Sequence, residues 1–199
     1  SGKAAVGLSL SEMYVENEIT AAIDNSIVTS TGGAVNLAAG IAPPATKAEL
    51  SDVKLRTYGV DLPETNSSSI VNVTVGGAGG GKVAAGFGIS TNIINNTISA
   101  EVRNGAVIDS HAGVALSAID ASVIDAIAFG GAGAGSVAGG GAISVNVITN
   151  TINTAIADST VRAGVSTDGT AVTNTDAAVT LDSQSSSIIR ALGMGVSGS

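Results

Sequence analysis

The sequence predicts an all-β chain, a parallel β-helix (β-solenoid) built from three tandem repeats, on three observations. One phrase is written three times: KAAVGLSLSEMYVENEITAAI at 3–23, KVAAGFGISTNIINNTISAEV at 82–102 and AGGGAISVNVITNTINTAI at 138–156. Setting Ile143 on Ile89 and Leu10 also aligns Ile152, Ile98 and Ile19, and then Ile156, Val102 and Ile23. A fixed internal spacing of this kind marks a repeat architecture. Secondly, apolar residues inside the phrase recur at period 2, and no helical period is sustained. Thirdly, Trp and Cys are absent, only two Phe and two Tyr occur, and 27 of 199 residues are Gly. A core without large rings must be assembled from Val, Ile, Leu and Ala, which suits many thin layers. With 44% apolar residues the chain has enough to bury, so disorder is not expected.

The repeats are placed at 3–81, 82–135 and 136–199, one β-solenoid segment over 1–199 cut from a longer repetitive protein. The middle copy sets the common unit of 54 residues. Each copy opens on an alternating strand: Phe87, Ile89, Thr91 and Ile93 against Gly88, Ser90 and Asn92 in the second, Ile143, Val145 and Val147 against Ala142, Ser144 and Asn146 in the third. An aliphatic face opposite a small polar face describes a half-buried strand. An Asn-centred corner is predicted next, at 16–18, 95–97 and 149–151, because Asn tolerates left-handed backbone and bonds its own main chain. Stacked corners could ladder Asn on Asn. Shorter strands follow at Val107, at Val114–Leu116 (matched by Val35–Leu37 and Val179–Leu181), and from Ser122, Ser68 and Ser187 to the next glycine run. Gly-Ala stretches such as 130–135 permit close backbone approach, in a thin face or tight corners.

Identical units in tandem can pair like with like only if the chain coils. Rungs of roughly 18–27 residues at about 4.8 Å spacing would give two or three rungs per unit and a rod on the order of 35–50 Å long. Two insertions interrupt the repeat. The third copy gains about eleven residues around 165–174, with the turn signal Asp168-Gly169; the first gains about twenty-five within 40–67. The larger one holds all three prolines, Lys47, Lys54, Arg56 and Tyr58, and a capping box Thr46–Glu49 that predicts a short helix over 47–53. An excursion of this kind lies on the surface, where binding loops sit. Lys47, Lys54, Arg56 and Tyr58 are therefore the candidate partner-binding residues.

The net charge of −8, with eight Lys and Arg, lacks the footprint of a nucleic-acid binder. Residues 126–157 carry no charge at all. Their glycines and period-2 segment argue against a spanning helix, and no membrane insertion is expected. The single histidine, His111, lies between Ser110 and Ala112, with Asp109 close by. Sequence neighbours point in different directions, so a catalytic triad is not expected there. Glu12, Glu16 and Glu18 form the densest carboxylate group and could bind calcium weakly, though the second copy has Thr91, Asn95 and Thr97 instead. No cofactor and no catalytic residue are expected.

The AGGGAISVNVITNTINTAI phrase, the VxL strands and the S-x-I-x-A-x-A-x-G-G closing strand resemble repeats of leukotoxin-type filamentous adhesins, giant bacterial exoproteins akin to autotransporter and two-partner-secreted β-helices. The likeness covers most of the chain outside 40–67. It implies a right-handed parallel β-helix, secretion to the bacterial cell surface, and a role in adhesion, host-cell contact or filament building. The expected function is a non-enzymatic structural or adhesive segment, a rigid spacer whose loops contact a partner and whose ends stack on further repeats of the same polypeptide. Two alternatives predict different surfaces. A polysaccharide-active β-helix needs charged residues along one groove. An ice- or surface-binding solenoid needs a flat Thr ladder, and Thr149, Thr151 and Thr154, or Thr170, Thr173 and Thr175, do not repeat in register.

Overall fold

The computed structural model describes residues 3–43, 46–47, 64–65 and 68–199. They form strands and turns, with no helix among them. In chain order the strands are β1 (Ala4–Asp24), β2 (Ile27–Ser30), β3 (Val35–Gly40), β4 (Thr46–Lys47), β5 (Glu64–Thr65), β6 (Ser69–Gly80), β7 (Val83–Arg103), β8 (Val107–Ser110), β9 (Val114–Asp120), β10 (Val123–Ala134), β11 (Val137–Ile148), β12 (Thr151–Ile156), β13 (Thr160–Ala163), β14 (Val179–Ser185) and β15 (Ile188–Gly198). Four parallel sheets are stacked, ordered β1-β7-β11 (with β12 also on β7), β2-β8-β13, β3-β9-β14 and β6-β10-β15. Each sheet thus takes its strands in chain order, an arrangement compatible with a β-helix. We call β1, β2, β3 and β6 the first tier, β7 to β10 the second, and β11 to β15 the third.

The register carries the sequence alignment residue for residue. Leu10 and Ile143 are both partners of Ile89, and Ile19 and Ile152 of Ile98. Along β3-β9-β14, the first step, Val35 to Val114, is 79 residues and the second, Val114 to Val179, is 65. From Ser69 to Val123, or Val83 to Val137, it is 54. The excesses of 25 and 11 fall after β3 and after β13, where the two insertions were read.

Three expectations are corrected. A strand meets its equivalent 53 to 80 residues away, not 18–27. The stack is therefore three strands deep, about 10 Å between the outer two, while β7 runs on the order of 70 Å along its own axis. The described residues thus form a wide, shallow stack where a longer rod was expected. The Asn corner is absent from the first two tiers: β1 and β7 run straight through 16–18 and 95–97, and only the third tier breaks, between β11 and β12. Asn96 stays in the strand because its side chain points inward and finds buried partners. The chain turns further on, where Asn25 (φ 45°), Asn104 (φ 58°) and Asp158 (φ 48°) take the left-handed conformation that Asn and Asp tolerate. Finally, the helix expected from 47 onward does not start there: Thr46 and Lys47 pair antiparallel with Thr65 and Glu64. Residues 48–53 lie outside those described.

Along β7 two kinds of interior alternate with two kinds of surface. From Ile94 onward, the inward residues Ile98, Ala100 and Val102 pack with Ile108, Val114, Leu116 and Ala118 into an aliphatic core, and Thr97, Glu101 and Arg103 face out. Before Ile94 the order is inverted. The buried side is the small polar one, Gly86, Gly88, Ser90 and Asn92, and the aliphatic side is turned to solvent. Glycines explain the inversion, as a Cβ on Gly130 would lie 1.7 Å from the Gly141 carbonyl oxygen, and one on Gly76 1.8 Å from that of Phe87. The sheets meet backbone to backbone, closer than the roughly 10 Å of an ordinary sandwich. No room is left for Ile or Val between them, so those side chains go outside. The Gly-Ala runs do make a thin face, as the sequence suggested.

Candidate functional site

Of the candidate partner-binding residues, Lys47 lies in β4 with Glu64 as its cross-strand partner. Lys54, Arg56 and Tyr58 lie outside the described residues.

The stretch 109–111 is held in structural bonds. Arg162, one tier away, donates from Nε to Asp109 Oδ1 at 2.5 Å and from Nη2 to Oδ2 at 2.9 Å. That guanidinium holds the Asp109 carboxyl below its usual range, against the opposing effect of burial. Ser110 donates to the carbonyl oxygens of Gly33 and Gly113, both at 3.1 Å. His111 Nδ1 lies 3.2 Å from Thr173 Oγ1. Neither Ser110 nor Asp109 is bonded to the imidazole, so the trio is not a triad.

Glu12, Glu16 and Glu18 sit on the outward side of β1, and the Tyr14 hydroxyl donates to Glu16 at 3.2 Å. Among the described residues no group of three or more His, Asp or Glu is arranged to hold a metal ion. The threonines form no flat ladder either. Thr151 is exposed beside Thr97, whereas Thr154 stacks on buried Ala100.

The most elaborate polar arrangement is one that sequence reasoning missed. Asp120, at the end of β9, is fully buried. Its carboxylate accepts from Ser122 Oγ at 2.7 Å and Asn150 Nδ2 at 2.7 Å, and closely from Ser187 Oγ. Asn96 donates to Ser68 Oγ (2.8 Å) and Ser122 Oγ (2.9 Å), and Asn17 donates to Asn96 Oδ1 at 2.9 Å. Burial by itself would raise the Asp120 carboxyl; the donors Ser187, Ser122 and Asn150 together outweigh it and leave it below the ordinary value. Two register-matched columns supply the donors, Asn17/Asn96/Asn150 and Ser68/Ser122/Ser187. The recurrence of Ser before each closing strand was the available signal. Asp120 itself gave none, because its tier-mates are Ile41 and Ser185.

A second ladder lines the thin half: Asn72 donates to Asn92 at 2.6 Å, Asn92 to Asn146 at 2.7 Å and Ser90 to Ser144 at 2.9 Å. No described buried side-chain polar atom lacks a partner. Arg103 on Asp24 and Arg190 on Asp125 add ion pairs between tiers. These groups bond tier to tier, and chemically they brace the stack. On the smaller insertion, Asp168 accepts from Ser166 and Thr170, which bring its carboxyl down to about 2. No family model, no curated protein and no solved structure matches this chain.

Proposed function

We propose that the chain is a right-handed parallel β-helix of three tandem repeats, and that it works as a non-enzymatic structural and adhesive segment of a bacterial cell-surface or secreted filamentous exoprotein. On this reading it is a rigid spacer, continued end to end by further repeats, with the 40–67 insertion offering Lys47, Lys54, Arg56 and Tyr58 to a host-cell or other surface molecule. The observation that carries the reading is the register: 21 consecutive residues of β1 pair with their equivalents in β7 without a slip. Like-on-like pairing of that length is what a spacer extended by repetition requires. Side-chain investment supports it too. The buried Asn and Ser columns and the three Arg–Asp pairs join one tier to the next, and Asp109, Ser110 and His111 are spent on the same task.

The test coats beads with the protein, with and without residues 42–66 (the 25-residue excess, which spares the buried Ile41), and counts their attachment to cultured epithelial cells and to bacterial cells. The full chain is expected to attach. The trimmed chain is expected to melt cooperatively at an unchanged temperature and to lose attachment. Loss of folding on trimming, equal attachment of both, or turnover of an acidic polysaccharide by the full chain would overturn the proposal.

A further inference from the structure

The inverted half leaves a large aliphatic face without a partner. On the β1-β7-β11 sheet, outward columns run across the tiers: Leu8 and Phe87, then Leu10, Ile89 and Ile143, then Tyr14, Ile93 and Val147. Leu10 is 71% exposed and Ile143 58%. Phe87 lies against Gly141, whose Cβ would stand 3.1 Å from the ring, so the aromatic covers the gap that Gly141 leaves in the third tier. No charged residue occurs in 83–100 or 137–157, and Glu12 is the only charge among the columns.

We propose that this face is a self-association surface, on which a second copy of the chain docks sheet to sheet and builds the aliphatic layer that glycines exclude from the interior. Eleven residues at about 3.3 Å and three strands at about 4.8 Å give roughly 500 Å² per copy, or about 1,000 Å² in all, the smallest area at which specific interfaces are found. The dimer is accordingly weak and concentration-dependent. The opposite sheet is the poorer surface. Its aliphatic columns number two, Val73/Ile127/Leu192 and Val75/Phe129/Met194, and the Asp125–Arg190 ion pair borders them. A lipid bilayer would cover both faces but fits less well. Glu12, set among these columns on the outward side of β1, would have to take its charge into hydrocarbon.

The test is sedimentation velocity of the purified chain over a thousandfold concentration range, beside Leu10→Asp, Ile143→Asp and, on the opposite sheet, Leu192→Asp. The wild type is expected to pass from monomer to dimer. Each front-face substitution should move the midpoint at least about tenfold higher in concentration with an unchanged melting curve, and Leu192→Asp should leave it in place. A wild type monomeric throughout would overturn the proposal. So would association that survives Leu10→Asp and Ile143→Asp, because it would then run through the tier ends. Flotation of the wild type with phosphatidylcholine–phosphatidylglycerol vesicles, abolished by Ile143→Asp, would overturn it in favour of a bilayer.

Discussion

The two halves of β7 belong to one strand, share one hydrogen-bond ladder and alternate with the same period, yet they bury opposite kinds of side chain. Around Ile98 and Val102 the facing strand β9 stands far enough off for Leu116 and Ala118 to interleave. Around Gly86 and Gly88 the facing strand β10 brings Gly131 and Phe129 main chain into contact, and the side chains that fit within this half are those of alanine, serine, threonine and asparagine beside the glycines. Alternation therefore specifies that a strand has two unlike sides. What lies across from it decides which side is covered.

Glycine substitution should break the thin half outright. Gly130→Val pushes two methyl groups toward the Gly141 carbonyl, and a loss of more than about 4 kcal/mol in denaturant unfolding is expected. Gly133→Ala, where no atom lies within 4 Å, should cost less than about 1 kcal/mol. Matched aliphatic deletions sharpen the contrast. Ile98→Ala in the fully buried core should cost about 2–5 kcal/mol, while Ile143→Ala, measured on dilute protein, should stay within about 0.5.

The Asp120 network stands between the two halves. Asp120→Asn turns an acceptor-only group into a partial donor facing Ser187, Ser122 and Asn150, and a loss of about 2–3 kcal/mol at pH 7 is expected. Because the folded carboxyl lies below its unfolded value of about 3.9, its contribution is full above that pH and disappears as pH falls through the folded value. Below about pH 4 the stability gap between wild type and Asp120→Asn should narrow steadily as pH falls; a gap that stayed constant with pH there would show that the charge is not what the network holds. The smallest effect belongs to Arg190→Gln. Its partner Asp125 lies on the surface sheet, the arginine side chain is 56% exposed, and a loss below about 1 kcal/mol, fading in high salt, is expected.

How legible all this was depends on whether the cause lay within the strand or across from it. The pairing of Leu10, Ile89 and Ile143, and the size and place of both insertions, could be read because equivalent residues stack on one another. The buried side of residues 83–93 could not, since it is set by the glycines of β6, β10 and β11. The Asn17/Asn96/Asn150 column was visible and misassigned to a turn. An inward Asn with Ser68 and Ser122 opposite has better hydrogen bonds than a turn would offer. The true turn column of Asn25, Asn104 and Asp158 mixes two residue types, which hid it.

The distance along the chain between ladder partners sets how the protein comes to be folded. Each of the four parallel sheets joins residues at least 53 apart, so a whole circuit must close before its first rung of hydrogen bonds forms. Closing 54 residues instead of 18 costs only about 1 kcal/mol more in loop entropy, but every hydrogen-bonded rung of these sheets that follows is equally remote. Slow refolding is the signature of such topologies. Until the second tier closes upon the first, none of the four parallel sheets has a single rung, and none of them holds a lone hairpin to unpick.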